Sequence, residues 1–337
     1  MPSPAEFADK EKINVKMVSW YDDHFYRIDY ETQQGTVETD YIPSVTTKLQ
    51  AIAKPFLINW YGDLGSREAK ARVQESAERG DRIHAAWKTY CEGGQVIFHP
   101  EKYSPYTDEE IAELTKGSHY ILRAQEEMAH LVRLDKFSQI INPEFLESEM
   151  SVYNLINRDA GTVDNFWRIK GGRYEGINSK PLDLMGGFYT LDVKSGNYVG
   201  EEAKMQVAAY SKCAEYMEIT EKVDGALILH TGAKVKTGIE GLSVIHLTRE
   251  DLDSYYRKYR HVAYIWEELF GTMKPKIFEF PSLIKRPDPM DANKGDQKDE
   301  AKPKEPENDT RRDAGVGAKE QKVHKAEGRG KSEGKAD

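Results

Sequence analysis

The sequence predicts an α/β fold, in which a central mixed sheet flanked by helices follows an N-terminal hairpin and helical region. Three observations predict it. Residues 44–140 carry helical signals, the chain from Phe145 onward shows strand patterns separated by helical ones, and residues 286–337 lack the apolar side chains of a core. The predicted organisation is an N-terminal region (1–142), a core domain (143–285) and a disordered charged tail (286–337).

The N-terminal region begins with a predicted β-hairpin. Segments 24–30 and 36–42 alternate polar and apolar side chains around the turn-like Gln33-Gln34-Gly35. Helices are predicted next, from capping residues, prolines and periodicity. Their expected ranges are Val45–Ala53 with Ser44 as N-cap, Pro55–Trp60, Ser66–Tyr90, Asp108–Thr115 and His119–Ile140.

The core domain is predicted to be a strand-rich layer with two helices. The expected strands are 145–155, 160–167, 187–194, 225–230 and 242–247, and the expected helices are 201–217 and 250–270. Between the second and third strands, the polar, glycine-rich segment 170–184 predicts an inserted hairpin or loop.

The charge balance limits the function classes. The chain has 337 residues, with 48 Lys and Arg against 57 Asp and Glu, a net charge of -9. Because the tail contains 13 basic and 13 acidic residues, the rest of the chain carries the whole net charge. This argues against a protein coated in basic surface, such as a histone-like packaging protein. It does not exclude a DNA enzyme, whose active site must be acidic to hold cations.

Cysteine content and hydropathy indicate the compartment. Cys91 and Cys213 are too few for a disulfide framework or for a four-thiolate zinc or iron-sulfur site, so buried free thiols are expected. No run of roughly 18 apolar residues occurs, and the N-terminus lacks a basic segment followed by an apolar one. We therefore expect a cytoplasmic protein without a membrane partner.

Three short strings carry the residues of interest. They are Gly161-Thr162-Val163-Asp164, Leu191-Asp192-Val193-Lys194-Ser195-Gly196 and Gln206-Val207-Ala208-Ala209-Tyr210. Strand geometry puts Asp192 and Lys194 on one face, about 7 Å apart along the strand. Such a pair can bind a divalent cation and orient water, although a structural salt bridge explains an isolated D-x-K string more simply. Gln206 and Tyr210 share one helix face, which core packing would also explain.

Together, in this order, the three strings resemble the PD-(D/E)XK nuclease superfamily. The similarity is to its exonuclease branch, which includes the RecB nuclease domain, CRISPR adaptation nucleases, the mitochondrial genome maintenance exonuclease and phage exonucleases. Two departures are Val163, where the signature has Pro, and the 28-residue separation of Asp164 from Asp192.

Upstream strings extend the resemblance to about Ile42 through Tyr210. Arg79-Gly80-Asp81-Arg82-Ile83-His84 resembles the R-G-x-x-x-H helix of that branch. The segments 42–47 and 54–60 are similar to the P-S-V-T and K-P-x-L-x-x-W openings of its phage and mitochondrial members.

The resemblance implies a restriction-endonuclease-like core with one metal-dependent site. The implied metal ligands are His84, Glu149 (or Glu147, which has the same strand parity), Asp164, Asp192 and the backbone carbonyl of Val193. The implied catalytic residues are Asp164, Asp192, Lys194, Gln206 and Tyr210. Oxygen ligands favour Mg²⁺, and the imidazole makes Mn²⁺ competitive.

The expected substrate is DNA, single-stranded or with free ends. Candidate contacts are Ser44, Thr46, Thr47, Lys48, Lys54, Trp60, Arg67, Lys70, Arg72, Arg79 and Arg82 on the N-terminal helices, with Trp60 or Trp87 stacking on an unpaired base. Core or rim packing is the alternative for both tryptophans.

The expected function is Mg²⁺-dependent, sequence-nonspecific exonuclease activity in phage or prokaryotic recombination, replication or repair, in the host cytoplasm if the protein is phage-encoded. The tail is a candidate binding segment for a recombination or replication protein. Two alternatives remain open: a structure- or sequence-specific endonuclease of the same fold, and a catalytically inactive DNA-binding relative.

Overall fold

The computed structural model describes residues 13–20, 23–32, 35–52, 55–100, 106–114, 119–271 and 275. Three predictions lie outside these residues: the disordered tail (286–337), the DNA contact by Lys54 and the turn at Gln33-Gln34. Within the described ranges, no helix combines the length and the apolar character needed to cross a bilayer.

An antiparallel three-stranded sheet forms the N-terminus of the described chain. Its strands, in spatial order, are β1 (Asn14–Trp20), β2 (Asp23–Glu31) and β3 (Val37–Pro43). The predicted hairpin of β2 and β3 is confirmed, and β1 is an additional strand. Tyr26, Ile28 and Tyr30 of β2 form a small core with Tyr153 and Leu155, which attaches this sheet to the rest of the chain.

The helices that follow mostly match their predicted ranges. They are α1 (Val45–Leu49), α2 (Pro55–Leu64), α3 (Ser66–Cys91), α4 (Asp108–Leu114) and α5 (Gln125–Ile141), with β4 (Gln95–Phe98) and β5 (His119–Leu122) between them. Ser44 caps α1 as predicted, because its side chain accepts a hydrogen bond from the Thr47 amide at 3.0 Å. The prediction that α1 continues to Ala53 is wrong, since the helix ends at Leu49.

The prediction of a helix beginning at His119 is also wrong. Residues 119–122 form β5, which pairs in parallel with β4, and α5 begins only at Gln125. A short apolar run fits either a strand or a buried helical turn. Here the pairing with β4, some 24 residues earlier in sequence, decides in favour of the strand.

A mixed five-stranded sheet forms the centre. The remaining elements are β6 (Glu144–Asn154), β7 (Asp159–Ile169), β8 (Gly172–Tyr174), β9 (Leu182–Leu184), β10 (Gly187–Lys194), α6 (Glu201–Tyr216), β11 (Gly225–His230), β12 (Ser243–Thr248) and α7 (Arg249–Phe270). The sheet order is β12-β11-β10-β7-β6, with β10 and β11 parallel and the other neighbours antiparallel. Strands β8 and β9 pair as the predicted inserted hairpin.

Helices cover both faces of this sheet. Ala226 and Ile228 of β11 belong to a core with α6 and α7, whereas Leu227 and Leu229 belong to a second core with α3 and α5. This alternation is the two-residue period of a strand buried on both sides. Because α1 joins the first core and α3 the second, the predicted N-terminal region and core domain share their cores. The predicted α/β architecture is confirmed at this level.

Candidate metal centre

The pairing of β7 with β10 stops beside the two predicted aspartates. The ladder runs from Ile169 opposite Gly187 to Asn165 opposite Leu191. The next residues along these strands are Asp164 and Asp192. Instead of a backbone pair at this point, the Asp164 Oδ2 accepts a hydrogen bond from the Val193 amide at 2.6 Å. The end of the ladder therefore brings both carboxylates to one place in the sheet.

Three side chains from different elements converge at this point. His84 of α3, Glu149 of β6 and Asp164 of β7 offer ligand atoms that all lie within 4.8 Å of one another. The His84 Nδ1 is 3.5 Å from the Glu149 Oε1 and 3.5 Å from the Asp164 Oδ1. A nitrogen between two carboxylate oxygens, all partly buried, is a donor set that a divalent cation can use.

The structure places Glu149, rather than Glu147, in this cluster. Glu149 lies between the paired positions of Ser148 and Met150 and has a left-handed backbone, with φ of 51°. That conformation is uncommon for a residue with a side chain. Glu147 pairs with Phe166 of β7 and is exposed to solvent.

Asp192 has one oxygen occupied and one unpartnered. Its Oδ1 accepts a hydrogen bond from the Lys194 Nζ at 2.9 Å, whereas its buried Oδ2 has no hydrogen-bond partner among the described residues. The residue is only 2% exposed. An unsatisfied buried carboxylate oxygen is costly unless a proton or a cation compensates it. Asp192 thus fits the expected role of metal ligand from beside the cluster, while the Val193 carbonyl as a ligand stays a prediction.

A chain of hydrogen bonds connects Asp192 to α6. Since Thr190, Asp192 and Lys194 alternate along β10, they share one face, and the Thr190 hydroxyl contacts the Ser211 hydroxyl of α6 at 2.8 Å. The Lys194 Nζ donates to the Gln206 Oε1 at 3.3 Å, and the Gln206 Nε2 donates to the Tyr210 hydroxyl at 3.1 Å. The helix therefore holds the lysine through Gln206.

The charges at this site shift one another's protonation. Burial raises the pKa of Asp192 to about 6; the charge of Lys194 opposes that rise and the charge of Asp164 adds to it. Burial alone would lower the pKa of His84, but the adjacent Asp164 and Glu149 outweigh it and raise that pKa well above 6.5. Without a cation, the imidazole is therefore protonated and compensates the carboxylates itself.

Lys194 keeps its proton. Burial opposes the charged form of this amine, but Asp192 and Asp164 outweigh burial and raise its pKa. The ammonium is thus a hydrogen-bond donor and a fixed positive charge rather than a base. It can stabilise negative charge that develops on a bound group.

Lys48 contradicts its predicted role as a DNA contact. Its side chain is fully buried, and its Nζ lies 3.0 Å from the Asp159 Oδ1 and 2.7 Å from the Glu267 Oε1. The Tyr259 hydroxyl also donates to the Asp159 Oδ1, at 2.7 Å. This ammonium joins α1, β7 and α7 in the interior, where no phosphate can reach it.

Other predicted DNA contacts also have structural partners. Ser44 is 2% exposed and caps α1, while the buried Thr47 hydroxyl donates to the His24 carbonyl. Trp87 is 1% exposed and donates its indole N–H to the Asn165 side chain at 2.7 Å, so the prediction that it stacks on a base is wrong. Residue type alone made these side chains candidate DNA contacts. In the structure, their hydrogen bonds connect elements of the fold instead.

Two of the four predicted arginine contacts of α3 are paired with α5. Arg79 lies 3.2 Å from the Glu126 carboxylate, and the Arg82 Nε donates to the Glu127 carboxylate at 2.8 Å. Nearly half of the Arg82 side chain is nevertheless exposed. The remaining candidates are exposed or half-buried and stay predictions: Thr46, Trp60, Arg67, Lys70 and Arg72.

A cavity of about 840 Å³ opens beside Lys194 and Gln206. Two residues that the sequence did not single out, Tyr61 of α2 and Tyr198 of the loop after β10, line it. No local pattern could have identified them, because the cavity joins segments more than 100 residues apart. The two cysteines are free thiols, as expected, but only Cys213 is buried, since Cys91 is half-buried.

A scan against protein-family models finds no match to this chain. A search of curated proteins finds no significantly similar sequence.

Proposed function

We propose that this chain is an Mg²⁺-dependent, sequence-nonspecific DNA exonuclease with a restriction-endonuclease-like core of the PD-(D/E)XK type. The observation that carries the proposal is the convergence of His84, Glu149 and Asp164 where the β7–β10 ladder ends, next to Asp192 and Lys194. A structural salt bridge between Asp192 and Lys194 would explain neither the three further groups beside it nor the unpartnered Asp192 oxygen.

In this proposal, His84, Glu149, Asp164 and Asp192 hold the cation. A bound Mg²⁺ would polarise a phosphate oxygen and lower the pKa of a bound water. The protonated Lys194 donates hydrogen bonds toward the phosphate or the attacking water and neutralises developing charge. Gln206 and Tyr210 position Lys194 through the hydrogen bonds that run from α6. Mn²⁺ would serve as an alternative cation because the set includes an imidazole.

The proposed substrate is DNA with a free end. The proposed process is recombination, replication or repair in a phage or prokaryote. The tail is proposed to bind a partner protein in that process. The test compares linear and covalently closed single-stranded and duplex DNA in Mg²⁺. We expect linear strands to be degraded and closed circles to survive, because a circle cannot enter an end-dependent site.

The controls are omission of the cation and the Asp192→Asn variant, both of which should abolish degradation. Cutting of circles at rates comparable to those of linear DNA would replace the exonuclease by an endonuclease. Binding of DNA without any Mg²⁺-dependent cleavage would indicate a catalytically inactive DNA-binding protein.

A further inference from the structure

The 840 Å³ cavity beside the proposed active site has a composition unlike that of a phosphate channel. It lies between α1, α2 and the first turns of α6, and its lining is mainly apolar, with Leu49, Ile52 and Ile58 on one side. Among the residues that the structure describes, Lys194 and Glu202 are the charged side chains that line it. A groove that follows a nucleic-acid backbone needs several cations to neutralise phosphates. The described lining, with one ammonium and one carboxylate, does not supply those cations.

Aromatic and aliphatic side chains stand at the rim of this cavity. Tyr198 is 70% exposed and Ile58 is 68% exposed. Tyr61 is half-buried and contacts Trp60 edge to face, with ring centroids 5.4 Å apart. Covering exposed tyrosine and isoleucine side chains with a flat apolar group is favourable in free energy.

The size of the cavity also suits such a group. Cavities that enclose small organic groups measure roughly 300–1,000 Å³, so this one has room for a base with its sugar.

The polar end of the cavity is the proposed catalytic end. Lys194 and Gln206 line the cavity and also belong to the hydrogen-bonded chain that includes Asp192. A ligand that fits this arrangement has an anionic group at Lys194 and a flat, largely apolar body toward Tyr61 and Tyr198. A nucleotide of a single strand has that form, whereas a paired base is covered on its hydrogen-bonding edge and stacked in the duplex.

We propose that this cavity receives an unpaired base next to the phosphate that is cut, so that the protein acts on single-stranded ends and requires melted ends in a duplex. The inference rests on the proposed function, because it takes Lys194 as the residue that meets the phosphate. Base recognition here is by stacking and apolar contact. It therefore tolerates any of the four bases.

The test measures binding of fluorescent oligonucleotides in EDTA, so that hydrolysis does not interfere. The probes are a thymidine 12-mer, the same strand with two abasic nucleotides at its 5′ or its 3′ end, and a blunt hairpin duplex. An abasic nucleotide keeps the phosphate and removes the base. We expect abasic sites at one end to weaken binding about 5- to 100-fold, the range that stacking of a base gives, and the blunt duplex to bind as weakly.

Tyr198→Ala and Tyr61→Leu identify the cavity as the place of that contact. Each should weaken binding of the intact strand and leave binding of the affected abasic strand nearly unchanged, since the interaction is already missing there. Because most of the Tyr198 side chain is exposed, we expect the Tyr198→Ala variant to fold. Its matched control is Tyr264→Ala on α7, a tyrosine that is 60% exposed and does not line the cavity. The Tyr264→Ala control should bind the intact strand and the abasic strand with the affinities of the wild type.

Two results would overturn the inference: equal wild-type affinity for the intact and both abasic strands, or equal weakening of both strands by the tyrosine variants. Hydrolysis of linear DNA in Mg²⁺ is measured separately. If hydrolysis occurs and binding ignores the base, the inference fails and the proposed function stands. If binding depends on the base and the tyrosines but no strand is cut, the proposed function fails and the cavity assignment stands.

Discussion

The Tyr210 ring occupies the space where a side chain of residue 161 would lie. A Cβ atom built on Gly161 would be 2.0 Å from the Tyr210 Cε1, far inside van der Waals contact. Both residues are buried, with Gly161 on β7 and Tyr210 on α6. The glycine of the first string is thus required by the tyrosine of the third, and Tyr210 in turn holds Gln206 beside Lys194.

Gly161→Ala should lower both stability and DNA hydrolysis. The buried ring must move or β7 must shift, which typically costs about 1–3 kcal/mol. Movement of the Tyr210 hydroxyl also removes the hydrogen-bond partner of Gln206, so we expect kcat to fall by more than the unfolded fraction of the protein explains.

The measurements for Gly161→Ala are a denaturant titration and the rate of cleavage per folded molecule. Gly172→Ala is the matched strand control, since its Cβ would make only ordinary contacts of 3.6 Å or more. Unchanged cleavage by a folded Gly161→Ala protein would remove Tyr210 from the site.

Glu149→Gln should reduce cation binding, whereas Glu147→Gln should not. Glu149 contributes to the cluster with His84 and Asp164, and Glu147 is an exposed carboxylate two residues earlier on the same strand. A cation that binds the folded state stabilises it by RT ln(1 + [cation]/Kd), and so raises the melting temperature more when Kd is lower. We therefore expect Mn²⁺ and Mg²⁺ to stabilise the wild type and the Glu147→Gln variant by similar amounts. If the cation-induced rise in melting temperature is lost in Glu147→Gln and kept in Glu149→Gln, then Glu147 rather than Glu149 is the cation ligand.

Cation binding should strengthen with rising pH between about 5 and 8. In the cation-free protein, the pKa of Asp192 is raised to about 6 and that of His84 is raised well above 6.5. A raised folded-state pKa stabilises the protein at low pH, and that contribution disappears as the pH rises through the folded-state value. A cation must displace both protons, so its affinity changes in the opposite direction.

Isothermal titration with Mn²⁺ at several pH values, with proton release measured in two buffers, checks this sign. Asp192→Asn should remove the part of the pH dependence near 6. Binding that weakens as the pH rises would show that these two groups do not hold the cation.

The Asp192 and Lys194 variants should separate catalysis from DNA binding. Asp192→Asn removes a proposed ligand and one negative charge, so hydrolysis should collapse while cation-free DNA affinity stays equal or rises. Lys194→Ala removes a positive charge from the same face, so hydrolysis should collapse while affinity stays equal or falls. Single-turnover cleavage and binding in EDTA provide the comparison. Near wild-type cleavage by either variant, once melts show it folded, would mean that β10 does not carry the active site.

Sequence patterns predicted the elements whose signals are local. Strand β11 (Gly225–His230) and helix α3 (Ser66–Cys91) have the predicted positions, because the continuous apolar run of the strand and the periodicity of the helix lie within each element. Strand β5 was predicted as helix, since its identity depends on pairing with the distant β4. Such pairings leave little trace in a short run of residues.

The candidate site shows the same division. The parity of β10 was enough to place Asp192 and Lys194 on one face, and the structure joins them. The choice between Glu147 and Glu149 needed the local left-handed backbone at Glu149, which sequence parity does not reveal. Tyr61 and Tyr198 could not be predicted as partners, because they are far apart in the sequence and come together only as lining residues of the cavity.

Lys48 is the clearest case of a residue whose role depends on distant partners, and it supports the last prediction. Lys48→Met should destabilise the fold by about 3 kcal/mol or more, because it leaves Asp159 and Glu267 without the ammonium that is buried between them. The control, Lys88→Met, removes an exposed lysine 3.8 Å from Glu92 and should cost at most about 1 kcal/mol of stability.

The salt dependence of DNA binding tests the same residue independently. Removing a lysine that binds a DNA phosphate lowers the slope of log affinity against log salt by about 1. Since the Lys48 side chain is fully buried, we expect the folded variant to keep the wild-type slope. Denaturant unfolding and salt titrations of DNA binding measure the two quantities. A reduced slope with unchanged stability would mean that Lys48 binds DNA after all.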